Sequence, residues 1–165
     1  MDGGGAIFCE ACFDEAAFQR LRASLRQKLN QDACDYWASI RHGRQVPLRR
    51  DLDPTEMPRL LPSVILIEVL RPGPDFRYRL IGTRWVEHFG RDYTGTLMSE
   101  LEHQRPPSSV WKAVQAVVDS RMPMAPRLPY AGRLFRDRNI EVLISPLSRS
   151  GEEVDFLFVT VDFAG

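Results

Sequence analysis

Residues 154–163 read VDFLFVTVDF, and the fold follows from how that stretch must face its surroundings. In an extended chain successive side chains point to opposite sides, so Phe156 and Phe158 fall on one side and Leu157, Val159 and Val161 on the other. Both sides are apolar. Such a strand belongs in the middle of a sheet that is covered on both faces. Just before it, Asn139 to Leu147 reads as a second strand, joined through the Ser148 to Glu152 turn with its Ser150-Gly151 pair. Further back, Met122 to Tyr130 is interrupted by Pro123, Pro126 and Pro129. Proline cannot donate to a ladder, so this run is expected at a sheet edge.

Two more strands are expected upstream. Ser63 to Leu70 carries Val64, Ile65, Leu66, Ile67 and Val69, and Pro72-Gly73-Pro74-Asp75 separates it from Phe76 to Ile81. The pair reads as an antiparallel hairpin. In its second arm Phe76, Tyr78 and Leu80 alternate with Arg77 and Arg79, which predicts one apolar face holding all three. Beyond Gly82-Thr83, the residues Trp85, Val86 and Phe89 suggest a short helix closed by Gly90. Pro107 to Ser120, with Val110, Trp111, Val114, Val117 and Val118 on one side, is the clearest helix of this half.

The N-terminal part is helical by the same test. From Asp14 to Asn30 the residues Phe18, Leu21, Leu25 and Leu29 recur at three- and four-residue steps, with Arg20, Arg22, Arg26 and Lys28 opposite. A shorter helix is expected over Asp35 to His42, ended by Gly43, and Asp53-Pro54 opens a brief turn kept short by Pro58 and Pro62. The long amphipathic helix is the natural cover for the second face of the central strand, contributed by the same chain or by a second copy. Domain limits are set at residues 1–34 for a tail plus this helix and 35–165 for the main domain.

Composition narrows the function. Twenty-two basic and twenty-two acidic residues cancel, which removes the overall field that would draw in nucleic acid or an anionic membrane. Apart from Lys28 and Lys112 every basic residue is arginine. No apolar run approaches the roughly 20 residues that span a bilayer, and no basic stretch leads into a signal-like one, so a cytoplasmic protein is expected. Cys9, Cys12 and Cys34 are too few for a disulfide framework. The two-residue spacing of Cys9 and Cys12 is half a zinc site, but no second pair follows it.

Several sequence blocks carry a resemblance. Trp37-Ala38-Ser39-Ile40-Arg41 leads through Pro47 to Asp51-Leu52-Asp53-Pro54 and Leu60-Leu61-Pro62. Tyr78-Arg79-Leu80-Ile81-Gly82-Thr83 and Gly90-Arg91-Asp92-Tyr93-Thr94-Gly95 follow. Together with the order hairpin, short helices, longer helix, antiparallel strands, this resembles the PAS domain family. The likeness runs from about Trp37 to Phe163 and is greatest to short stand-alone bacterial PAS proteins, largely alphaproteobacterial. It implies an α+β fold: a five-stranded antiparallel sheet with helices on one face, a cavity between them, and the N-terminal helix packing outside the core. It also implies a sensory or regulatory role in bacterial signal transduction, with nothing left over for an effector domain.

The candidate ligand-binding residues under this reading are Tyr78, Leu80, Trp85, His88, Phe89, Met98, Trp111, Val114 and Ile144, with Ile67 and Val142 as further cavity candidates. Members of the family hold haem, flavin, small acids or nothing, so no cofactor is assigned. Light-sensing flavin members carry a reactive cysteine in the turn that corresponds to Gly90–Gly95, which has none here. Haem-binding members need an axial histidine between the second and third strands, where His88 and His103 lie. Glu100, Glu102 and His103 can be read as an acid/base or hard-metal cluster or as a solvated loop. No nucleophile elbow or phosphate-cradling glycine loop is present, so no catalytic residue and no metal site is assigned. The stripe Phe18, Leu21, Leu25, Leu29 is the expected interface of a homodimer or of a signalling partner, and a ligand-free adaptor is the competing role.

Overall fold

The computed structural model describes residues 13–128 and 140–162. Cys9, Cys12 and the ends of the Met122 to Tyr130 and Val154 to Phe163 runs lie outside the described residues. Among the described residues the chain forms α1 (Glu15–Ser24), α2 (Lys28–Ser39), β1 (Val64–Leu70), β2 (Asp75–Ile81), α3 (Thr83–Phe89), α4 (Ser109–Ser120), β3 (Glu141–Leu147) and β4 (Phe156–Asp162), with short 3-10 turns between them.

The four strands make one antiparallel sheet in the order β2-β1-β4-β3. As the alternating aromatics of 154–163 require, β4 lies inside, between β1 and β3, and every residue of it is buried. Leu157, Val159 and Val161 join Ile65, Ile67, Val142 and Ile144 in the core on one face. Phe156 and Phe158 join Val64, Leu66, Leu143 and Leu147 on the other. The fold is therefore α+β, with helices on both faces rather than one. From the Met122 to Tyr130 run, Met124 exchanges both backbone hydrogen bonds with Ile144 at 2.9 Å, a single bridge beside β3.

Two expectations about local structure are corrected. The single helix expected from Asp14 to Asn30 is two helices, and the second runs through the expected 34/35 domain limit. Asp14 caps α1 by accepting the Ala17 N–H at 2.9 Å, but Leu25 turns extended. The cause lies across the sheet. The Glu141 carboxylate of β3 accepts the N–H of Arg26 at 2.8 Å and of Gln27 at 3.1 Å, placing an anion at the start of α2, where the helix dipole favours it. From there α2 lies directly over β3 and β4. Its Asn30, fully buried, donates to the Glu141 carbonyl at 2.8 Å and accepts from Thr160 Oγ1 at 2.7 Å. Trp37, also fully buried, donates from Nε1 to the Pro146 carbonyl at 2.8 Å. Phe18 of α1 stacks on it with ring centroids 5.8 Å apart.

The second correction concerns Leu80. A β-bulge lies in β2: Leu66 pairs with Leu80 but the next residue, Ile67, pairs with Tyr78, leaving Arg79 as the extra residue. One inserted residue reverses which face the following side chains take. Phe76 and Tyr78 therefore enter the core, whereas Leu80 points away from it, 45% exposed. Its neighbour Ile81 packs inward instead.

Candidate functional site

The layer over the first face is built from short pieces rather than one long helix. Gly82 sets where it starts. A Cβ there would sit 2.4 Å from the Pro62 carbonyl oxygen, so only glycine lets β2 pass this closely into α3. Trp85 then donates from Nε1 to the Ser63 carbonyl at 2.8 Å, fixing α3 against the turn before β1. Gly90, at φ 75°, ends the helix in the left-handed conformation. The chain next runs along β2, with Tyr78 N–H donating to Thr96 O at 3.0 Å and Gly95 N–H to Tyr78 O at 2.7 Å. Around Leu101 it turns again, and the Ser108 hydroxyl ties this loop to α4. It donates to the Gln104 carbonyl at 2.5 Å and accepts the Trp111 N–H at 3.0 Å.

These pieces arch over the sheet and enclose a cavity of about 220 Å³. Its floor is sheet: Ile65, Ile67, Tyr78, Val142, Ile144 and Val159. Its roof is Trp85 and Phe89 of α3, Met98, and Val110 and Val114 at α4. Tyr93, Leu101 and Leu128 complete the apolar wall, and Glu102, His103 and Gln104 supply a polar end. Trp85 and Phe89 stack with centroids 5.1 Å apart, and Phe89 meets Tyr93 edge-on at 5.5 Å. At the polar end the Tyr78 hydroxyl donates to Gln104 Oε1. Burial pushes the phenol well above its ordinary pKa, so it stays a neutral hydrogen-bonding group.

The cavity gathers Tyr78, Trp85, Phe89, Met98, Val114 and Ile144 of the expected ligand-binding residues, as well as Ile67 and Val142. It does not gather Leu80, which the bulge turns outward. Trp111 packs edge-on against Phe76 at 4.8 Å instead of lining the space. His88 also stands outside the lining, with its ring 6.2 Å from Phe89. Of the two histidines considered for a haem iron, only His103 borders the cavity. At about 220 Å³ the cavity is closer to the ~150 Å³ that holds one benzene than to the space that a porphyrin or a three-ring flavin occupies. Tyr93 and Gln104 are not among the expected site residues, whereas Glu102 and His103 are expected only as an acid/base, metal or haem-ligand candidate. As polar residues on a loop they give no periodic signal, and only the fold carries them to a cavity wall. Among the described residues no group of three or more His, Cys, Asp or Glu side chains is placed to hold a metal. Glu100 is engaged with the Leu97 N–H at 3.3 Å.

The expected interface stripe is taken up within the chain. Phe18 and Leu25 are buried at 4% and 3% exposure, and Leu21 and Leu29 pack against the same cluster over the sheet's second face. The stripe is divided between two helices: α2 covers β3 and β4, and Phe18 of α1 packs on Trp37 of α2. No described helix is long and apolar enough to cross a membrane.

No curated protein matches the chain. A family model does: that of the PAS domain matches residues 25–160. The match begins just after α1 and ends within β4, taking in α2, β1, β2, β3, most of β4 and every element around the cavity. The chain belongs to the PAS domain family, whose members are sensory and regulatory modules.

Proposed function

We propose that this protein is a signalling module that senses a small molecule in the cavity over β1 and β2, performs no catalysis, and passes the signal to a separate protein in bacterial signal transduction. The observation that carries the reading is the cavity itself, walled by aromatic side chains and bordered by the hydrogen-bonded Tyr78–Gln104 pair. A few convergent polar groups in an otherwise apolar concavity are what a small-molecule site requires. A plain core of this size would instead be filled to near crystal density. A ligand acts as a signal only by binding two states of the protein unequally. The elements free to respond are α3, the 101–104 loop and α4, which are short, joined by turns, and in direct contact with the space.

The test is native mass spectrometry of protein purified under gentle conditions, beside a Val114→Trp variant that fills the cavity. A bound mass on the wild type that is absent from the variant is the expected result. Apo wild type that gains no mass from a metabolite extract, while recovering a partner as well as the filled variant does, would move the role to a ligand-free adaptor.

A further inference from the structure

We propose that the cavity selects an uncharged ring molecule of about ten non-hydrogen atoms, with a hydrogen-bond donor beside an acceptor on one edge, as in a lactam or an amide-bearing heterocycle. This rests on the reading of the cavity as a ligand site and names what that site would take. Size comes first. The cavity measures about 220 Å³, and scaling from the ~150 Å³ that accommodates benzene leaves room for one ring and a short fused or attached group, about ten atoms. Shape follows from the walls. Trp85 and Phe89, stacked on each other, line one side with aromatic rings, and the branched side chains of β1, β3 and β4 form the other. Walls of this kind favour an apolar or aromatic ring.

The polar end sets the chemistry. Tyr78 and Gln104 are already hydrogen-bonded to each other, and that bond uses one donor and one acceptor. With the amide turned so that Oε1 accepts from the phenol, the Gln104 NH₂ remains as donor and the Tyr78 oxygen as acceptor. Turned the other way, the phenol O–H and Gln104 Oε1 remain. In both arrangements the pair offers an adjacent donor and acceptor, which is the complement of a –CO–NH– edge. A carboxylate has two acceptors and no donor, so it would leave the acceptor of the pair unanswered.

Isothermal titration of the full chain with three size-matched probes tests this: oxindole, indane and phenylacetate. Oxindole is expected to bind about tenfold more tightly than either of the others, since unpaired buried polar groups penalise the wrong ligand. Tyr78→Phe keeps the ring and removes the hydroxyl, and should bring oxindole down to the level of indane. Gln104→Leu should do the same and carries the test alone should the first variant fold poorly. Indane or phenylacetate binding as tightly as oxindole, with Val114→Trp abolishing it, would overturn this ligand class while leaving the cavity a ligand site. Binding of none of the three, with wild type and Val114→Trp alike, would overturn both readings.

Discussion

The two faces of the sheet solve the same burial problem in different ways. Over the face of Phe156 and Phe158, α2 lies flat on β3 and β4, and Trp37, Phe18 and Leu143 fill the layer. Asn30 on that face is bonded to both Glu141 and Thr160, while Ser145, equally buried, leaves its hydroxyl without a partner. Over the face of Leu157 and Val159 the cover is α3, a 3-10 turn, a loop and α4, of which α4 packs on β3. They leave about 220 Å³ between themselves and the sheet. One side is built for stability and the other holds space that a ligand can use. Nothing in the strands dictates this, since β4 is apolar on both sides. The difference lies in how the covers are joined: α1 and α2 pack on each other through Phe18 and Trp37, whereas α3 and α4 are separated by the 3-10 turn and the loop that border the cavity.

The largest effect should come from emptying the closed face. Trp37→Ala removes a fully buried ring and its hydrogen bond to Pro146, and is expected to cost about 3–5 kcal/mol in chemical denaturation. A loss under about 1 kcal/mol would show that the α2 layer is loosely packed and break the comparison. Next comes Asn30→Leu, which strands Thr160 Oγ1 and the Glu141 backbone carbonyl in the interior. A loss of about 1–3 kcal/mol is expected, with α2 exchanging its amide hydrogens faster than β4 does. The sharpest contrast uses one substitution type on both faces. Leu143→Phe overpacks the closed side and should cost roughly 1–3 kcal/mol. Val114→Phe enters existing space and should cost less than about 1 kcal/mol, or stabilise by filling it. Equal costs would mean that the two faces are packed alike.

The fold is largely legible in the sequence, though the difference between its two faces is not. The alternation over 154–163 set β4 in the interior with cover on both sides, and the hairpin, the Gly90 helix stop and the Pro107 to Ser120 helix all stand close to where pattern placed them. Six of the nine expected cavity residues line the cavity, because residues on the apolar sides of β2, α3 and α4 have few other places to go. The misses have physical causes. Leu80 fails because a bulge at Arg79 shifts the register, and alternation assumes no bulge. Trp111 is on the apolar side of α4 as expected, yet its angle around the helix aims it at Phe76. The break between α1 and α2 depends on Glu141, 114 residues from Gln27 in sequence, and no local pattern contains that partner.

The most direct test of the account is a methyl NMR titration of the full chain with oxindole, following the Ile, Leu and Val methyls of both faces. Shifts are expected among the cavity methyls, such as those of Ile65, Ile67, Val114, Val142, Ile144 and Val159, with Leu66, Leu143 and Leu147 beneath α2 unmoved. Shifts spread equally over the two faces, or confined to the α2 side, would contradict it.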